Sequence, residues 1–178
     1  MIAHFYKRTN SHIELVRTYI DKISQEFPDL NEIVFRKEYH DKSKFLNPEL
    51  TPYIYITWKY YCLENNIEFD FEPEKIRMQE ATYHHVKQNR HHPEYFDYTT
   101  DVRSINSENR DIPSQVLVNG TTMSNIDIAE MVADWMSVSE ERNTDPFEWA
   151  KNNINKRWKF TIKQEELIYS ILNKIWKK

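Results

Sequence analysis

The chain contains 178 residues, of which 39% are hydrophobic, 14% are aromatic and 29% are charged. This composition excludes a disordered tail and predicts a single folded domain over residues 1–178. The net charge of −4 provides no overall basic field, so we expect a small anionic ligand and no long nucleic acid as a partner. Gly120 is the only glycine, which argues against glycine-rich phosphate loops and β-rich architectures and favours an all-α fold.

The cysteine count and the N-terminal segment indicate a cellular compartment. Cys62 is the only cysteine, so the chain cannot form an intramolecular disulfide. The first residues, MIAHFYKRTN, contain no apolar targeting region, and the sequence contains no apolar run of membrane-spanning length. These features predict a cytoplasmic protein with no membrane association, and they leave the oligomeric state open.

Three helices are predicted in the first part of the chain. Apolar residues at helical spacing predict the first helix over residues 11–27, with His12 in its first turn and a stop before a proline. A second helix is predicted to begin after the cap candidate Asp29 and to carry the chain to His40 and Asp41. The aromatic block at residues 53–61 alternates in a way that also fits a strand, but its length and the absence of hairpin partners favour a third helix.

The middle of the chain is predicted to contain one helix and an insertion. The helix begins near Pro73 and ends close to His91, because Pro93 disfavours helical geometry at the residue before it. Residues 97–123 are polar and weakly patterned, and we interpret them as an insertion over the site. The Asn-Gly pair at 119–120 predicts a tight β-hairpin there.

The last part of the chain is predicted to contain three more helices. Ser124 caps a helix that carries Asp134 among apolar neighbours, and a short helix begins at Pro146. Residues 151–158 are interpreted as a polar connection. A C-terminal helix is predicted over residues 161–176.

A short run near the start of the chain predicts a metal site. His40 and Asp41 are adjacent, and Lys44 follows three residues after the aspartate. Adjacent side chains on a helix point in different directions, so these two can share an ion only where a helix ends or bends. Further ligand candidates lie elsewhere in the sequence: His12, His84, His85, His91, His92 and Asp134. Four of the chain's seven histidines fall between positions 84 and 92.

The order His, His-Asp, His, His, Asp, with a lysine three residues after the first Asp, resembles the HD-domain superfamily of metal-dependent phosphohydrolases. The segments HDKSKF, HHVKQNRHHPEY and EMVADW are similar to an uncharacterised bacterial and phage branch of that superfamily. The resemblance covers the chain from His12 to about Trp135. It implies an HD-domain-like helical bundle, here with a small β-hairpin or loop insertion.

The resemblance also implies a ligand set for one or two divalent ions. The first ion would be bound by His12, His40, Asp41 and Asp134. A second would be bound by His85 with His92 or His91, and Asp41 would bridge the two ions. The choices between His84 and His85, and between His91 and His92, are left open. Mixed nitrogen and oxygen ligands favour Mn, Fe, Co, Ni or Zn over Ca.

The implied activity is hydrolysis of a nucleotide or another small phosphorylated molecule by metal-activated water. In this interpretation Asp41 and Lys44 are catalytic, and Lys44 also contacts a phosphate oxygen. Further candidates for phosphate binding are Lys87, Arg90, Arg103 and Arg110. Two alternatives are retained: a di-iron oxygenase on the same scaffold, and a metal- or nucleotide-binding protein without turnover.

Ordinary structural roles are also weighed for these residues. His12 can be a simple helix side chain, and Lys44 a solvated lysine at a helix end. Asp127 and Glu130 share a helix stripe with Asp134, and we interpret them as a cap and a salt-bridge partner. Asp134 itself must pair with another group, because an unpaired buried carboxylate is costly.

Overall fold

The computed structural model describes residues 1–101 and 116–176. Within those ranges the protein is predominantly helical, which confirms the predicted all-α class. The helices and strands are α1 (Ile2–Glu26), α2 (Leu50–Asn65), α3 (Lys75–Gln88), β1 (Val118–Asn119), α4 (Asn125–Arg142), α5 (Pro146–Asn153), β2 (Trp158–Lys159) and α6 (Ile162–Ile175). Short 3-10 helices span Pro28–Glu38, Lys42–Phe45, Glu72–Glu74 and Pro93–Tyr95.

Helix α1 is longer than predicted. It begins at Ile2 rather than at residue 11, so His12 lies in the middle of the helix and not in its first turn. The extension follows the same periodicity, because Phe5 continues the buried face that Val16 and Ile20 occupy. The helix ends before Pro28, as predicted.

The predicted second helix is a 3-10 helix over Pro28–Glu38, interrupted by non-helical backbone angles at Leu30. The chain then turns at His40 and Asp41, and Asp41 has left-handed backbone angles with a φ of 58°. Non-glycine residues adopt this conformation rarely, and Asp is one of those that tolerate it best. The predicted bend at the His-Asp pair is therefore present.

The core forms around α4, which packs against α1, the Pro28–Glu38 segment and α6. Ser124 and Asp127 form a reciprocal capping box at the start of α4, as the sequence predicted for the cap. Thr161 caps α6 in the same way with Gln164. The buried faces of these helices supply fully buried residues such as Ile128. No described helix is both long and apolar enough to cross a membrane.

The predicted Asn-Gly hairpin is wrong. Strand β1 instead pairs in parallel with β2, about forty residues later, in the register Val118 to Trp158. Gly120 does not have a positive φ, so it does not form the predicted turn. A close contact accounts for the glycine, because a Cβ there would lie 2.8 Å from the Phe160 ring. Residues 102–115 of the predicted insertion lie outside the described residues.

The interpretation of residues 151–158 as a polar connection is also wrong. This segment contains the end of α5 and the first residue of β2, and four of its residues are buried. The buried residues include Asn153, Arg157 and Trp158. The polar sequence pattern misled the prediction because Asn153 and Arg157 are buried polar side chains that line a cavity.

Candidate metal centre

The seven predicted metal ligands meet at one place. His12 lies on α1, His40 and Asp41 in the turn before residue 42, His85 on α3, His91 and His92 in the turn after α3, and Asp134 on α4. All are buried except Asp134, which is half-buried. Helix α3 ends before His91, so the last two histidines reach the cluster from a turn rather than from a helix face.

A first group consists of His12, His40 and Asp134, whose ligand atoms all lie within 4.8 Å of one another. His12 Nε2 lies 3.0 Å from Asp134 Oδ1, and His40 Nε2 lies 3.7 Å from the same oxygen. Two ring nitrogens and one carboxylate oxygen therefore converge, as three ligands of a four-coordinate ion would.

A second group consists of His85, His91 and His92, again with ligand atoms within 4.8 Å of one another. The centroid of the His92 ring lies 5.0 Å from that of His85 and 4.2 Å from that of His91. The structure thus brings together His85 and both later histidines. His84 is absent from the group, and its Nδ1 is 2.7 Å from Glu49 Oε1.

Asp41 lies between the two groups and is 1% exposed. Its Oδ2 faces the first group, at 3.6 Å from His12 Nε2 and 3.9 Å from His40 Nε2. Its Oδ1 faces the second group, at 3.2 Å from His85 Nε2 and 3.7 Å from His91 Nε2. The two oxygens of a single carboxylate are therefore presented to two adjacent sets of imidazoles.

Buried carboxylates outside the two groups orient the imidazoles. Glu130 Oε1 lies 3.0 Å from His40 Nδ1 and 3.4 Å from His91 Nδ1, so it contacts one histidine of each group. Glu49 Oε2 lies 2.9 Å from His85 Nδ1. A carboxylate at one ring nitrogen fixes the orientation of the imidazole and leaves the other nitrogen free for a ligand bond.

The sequence patterns did not predict that Glu130 and Glu49 would orient the imidazoles. Glu130 was interpreted only as a salt-bridge partner, and it does lie 3.6 Å from Arg36 Nε. Glu130 could have been identified as part of the site from its position four residues before Asp134, on the same face of α4. Glu141 continues that face seven residues further on, and its Oε1 lies 3.3 Å from His12 Nδ1. No local signal identified Glu49, which reaches His85 across 36 residues of sequence.

The cluster keeps its carboxylates ionised. Burial alone would raise the pKa of Asp41, but the positive charges of Lys44 and His40 hold that pKa well below its ordinary value. Burial likewise opposes ionisation of Glu130, yet hydrogen bonds from His40 and His91 lower its pKa to about 2. The pKa of Asp134 is lowered for the same reason, through His12 and His40.

The pKa values of His40 and His91 are shifted in opposite directions. Burial would lower the pKa of His40, but Asp41, Asp134 and Glu130 raise it to about 10. His91 has its pKa lowered, first by burial and then by the charge of His40. The surrounding carboxylates therefore favour positive charge at His40, which a bound divalent ion would supply in place of a proton, while burial favours the neutral form of His91 that metal coordination requires.

A cavity of about 640 Å³ opens onto both groups. Lysine and arginine side chains contribute to its wall at six positions: Arg8, Lys44, Lys59, Lys75, Arg142 and Arg157. Lys44 Nζ is bonded to Asp41 Oδ2, and its side chain is 18% exposed. Lys44 therefore contacts a candidate metal ligand and also lines the cavity.

The other predicted phosphate-binding residues lie elsewhere. Lys87 and Arg90 are not among the described residues that line the cavity. Lys87 donates to the backbone carbonyl of Asp97, and Arg90 forms two 2.9 Å hydrogen bonds to Asp127. Both cations are held by protein groups away from the cavity. Arg103 and Arg110 lie in the segment that the structure does not describe.

Comparison with known families gives one match. A model described as "Family of unknown function (DUF5662)" matches residues 1–177. No curated protein and no solved structure matches the chain.

Proposed function

Because the chain belongs to DUF5662, a family of unknown function, its activity has to be inferred from its own site, and we propose a metal-dependent phosphohydrolase. The substrate is a nucleotide or another small phosphorylated molecule. One observation carries the proposal: Asp41 lies between two groups of imidazoles and is bonded to Lys44, which lines the adjacent cavity. This arrangement agrees with the resemblance of the sequence to the HD-domain superfamily.

The donor atoms fit divalent transition metals. Five imidazoles and two carboxylates offer mixed nitrogen and oxygen ligands, which suit Mn, Fe, Co, Ni or Zn better than Ca. His40 Nε2 and Asp41 Oδ1 are both buried without a hydrogen-bond partner among the described residues. Leaving such atoms unsatisfied is costly, and coordination of an ion would satisfy both.

The side chains around the cluster have distinct roles in the proposed reaction. A bound divalent ion would supply a water whose pKa falls to about 7 in the best cases, together with shielding of the phosphoryl oxygens. Lys44 places an ammonium group next to Asp41, where it binds a phosphate oxygen as a compact positive charge. Arg8 also lines the cavity, where its guanidinium lies 3.5 Å from the Glu141 carboxylate. Glu130 and Glu49 hold the imidazoles in position.

The cavity wall contains six cationic and five acidic side chains, and two of the acids, Asp41 and Asp134, are candidate metal ligands whose charge a bound ion would offset. With an ion bound, the wall would favour a phosphorylated substrate over the oxygenase alternative. An anionic substrate would be attracted to the cationic side chains, because partly buried charges are poorly screened by salt. Lys44 is placed where the phosphate would meet the cluster, since it contacts Asp41 and also lies 5.3 Å from the Tyr53 ring centroid in the cavity wall.

The test is phosphate release by protein stripped with EDTA and reloaded with Mn, Fe, Co or Mg. We expect release from nucleotides with at least one metal, and we expect Lys44→Ala to retain its metal while losing activity by about 100-fold. Lys42→Ala is the matched control, because Lys42 is exposed and is not part of the cavity wall.

Full turnover by Lys44→Ala would remove Lys44 from the site and leave the hydrolase itself in place. Two other outcomes would contradict the proposal. Bound iron with oxygen consumption and no phosphate release would favour the di-iron oxygenase. Nucleotide binding with no turnover under any metal would favour the non-catalytic binding protein.

A further inference from the structure

One wall of the cavity has no role in the proposed hydrolysis. It is formed by α5 and by the residues that lead into β2, and its side chains are Trp149, Asn153, Arg157 and Trp158. The same cavity contains the candidate metal ligands, so a molecule held by this wall can also reach the cluster.

Asn153 presents a buried hydrogen-bond acceptor at this wall. The side chain is 1% exposed, and its Nδ2 donates a 2.7 Å hydrogen bond to the Trp149 carbonyl. That bond fixes which end of the amide is the oxygen, because only the NH₂ group can donate to a carbonyl. Asn153 Oδ1 then accepts no hydrogen bond from any described residue. A buried acceptor in this state destabilises the protein unless a water or a ligand donates to it.

Trp149 presents the complementary donor. Its Nε1 is buried and has no hydrogen-bond partner among the described residues. The indole also offers an aromatic ring within the cavity wall. Trp149 and Asn153 are four residues apart on α5, so the donor, the acceptor and the aromatic ring belong to the same face of that helix.

The rest of the wall is held rigid. The Arg157 guanidinium lies 5.6 Å from the Trp149 ring centroid and 5.2 Å from the Trp158 ring centroid. Trp158 Nε1 donates a 3.0 Å hydrogen bond to Glu94, and its ring stacks on Trp135 at 5.5 Å. Such a preformed wall binds a ligand with little loss of side-chain entropy.

We propose that this wall binds the base of a nucleotide substrate, which rests on the proposed function and specifies its substrate class. A nucleobase is planar and carries both hydrogen-bond donors and acceptors on its edge, so it matches Asn153 Oδ1, Trp149 Nε1 and the indole ring. The cavity of about 640 Å³ is large enough for such a ligand. It extends along α4 from Asp134 to Arg142, which corresponds to about 12 Å at 1.5 Å per residue.

The experiment measures binding of AMP, GMP, CMP and UMP, with ribose 5-phosphate as the probe that lacks a base. Titrations are made once with EDTA and once with Mn²⁺. We expect at least one nucleotide to bind more tightly than ribose 5-phosphate. Asn153→Ala and Trp149→Phe should each weaken that nucleotide by about three- to tenfold and leave ribose 5-phosphate unchanged.

Trp58→Phe is the matched control for the tryptophan variant. Trp58 Nε1 is also buried without a hydrogen-bond partner in the described structure, but Trp58 does not line the cavity. Trp58→Phe should bind nucleotides with the same affinity as the wild-type protein. Trp149→Phe removes the Nε1 donor but keeps an aromatic ring at its site, so we expect it to fold. If Asn153→Ala does not fold, the affinity of Trp149→Phe for nucleotides tests the inference.

The inference is overturned if every nucleotide binds no better than ribose 5-phosphate, or if Trp149→Phe weakens both kinds of ligand equally. Phosphate release from ribose 5-phosphate together with either result would leave the hydrolase intact and remove only base recognition. Selective nucleotide binding without any phosphate release would support base recognition and contradict the proposed hydrolase.

Discussion

Glu130 couples the two groups of imidazoles, and its replacement tests that coupling. Its Oε1 lies 3.0 Å from Nδ1 of His40 in the first group and 3.4 Å from Nδ1 of His91 in the second. Glu130→Gln removes the negative charge and keeps the size of the side chain. A carboxylate in this position typically contributes about 10- to 100-fold to metal affinity, which corresponds to about 1.4–2.7 kcal/mol.

Because Glu130 contacts a histidine in each group, we expect Glu130→Gln to weaken Mn²⁺ binding at both candidate sites. The assay is calorimetric titration of Mn²⁺ into EDTA-treated protein, which yields the number of sites and the affinity of each. Glu140→Gln is the matched control: Glu140 lies on the same helix and accepts a 2.5 Å hydrogen bond from Tyr19. Two sites of unchanged affinity in Glu130→Gln, or weakening of only one site, would refute the coupling.

Two further predictions concern stability. Saturating Mn²⁺ should raise the melting temperature, since a ligand at 100 times its dissociation constant adds about 2.7 kcal/mol, and no shift in differential scanning fluorimetry would argue against a specific site. Asp97→Asn should cost about 1–3 kcal/mol at pH 7, because the carboxylate accepts hydrogen bonds from Thr99, Thr100 and Asn119. Burial opposes ionisation of Asp97, but these bonds hold its pKa well below the ordinary value. The stabilisation that the ionised Asp97 provides is therefore complete above about pH 4 and is lost as the pH falls further. In denaturant titrations, the free energies of unfolding of the wild-type protein and of Asp97→Asn should therefore converge in acid. A difference between them that does not change with pH would contradict this prediction.

Local sequence signals predicted the parts of the site that depend on local geometry. Adjacent His40 and Asp41 required a bend, and the backbone at Asp41 has a φ of 58°. The periodic apolar residues predicted most helices, and the Ser124 cap fixed the start of α4. The chain extended α1 to Ile2 because nothing in the first ten residues opposes helix formation.

Contacts between distant parts of the chain could not be predicted in this way. Glu130 approaches His40 across 90 residues, a pairing that no local pattern encodes. Strand β1 was interpreted as half of a hairpin because Asn-Gly is a local turn signal, yet its partner is β2. Asn153 belongs to a polar stretch and is nevertheless buried, since it bonds to the Trp149 carbonyl inside the fold.

The most direct test of the account is a crystal structure of the protein grown with Mn²⁺ and recorded with anomalous scattering. We expect manganese density beside Asp41, among the nitrogens of the two histidine groups. The absence of any peak among these side chains would contradict a metal centre at this place.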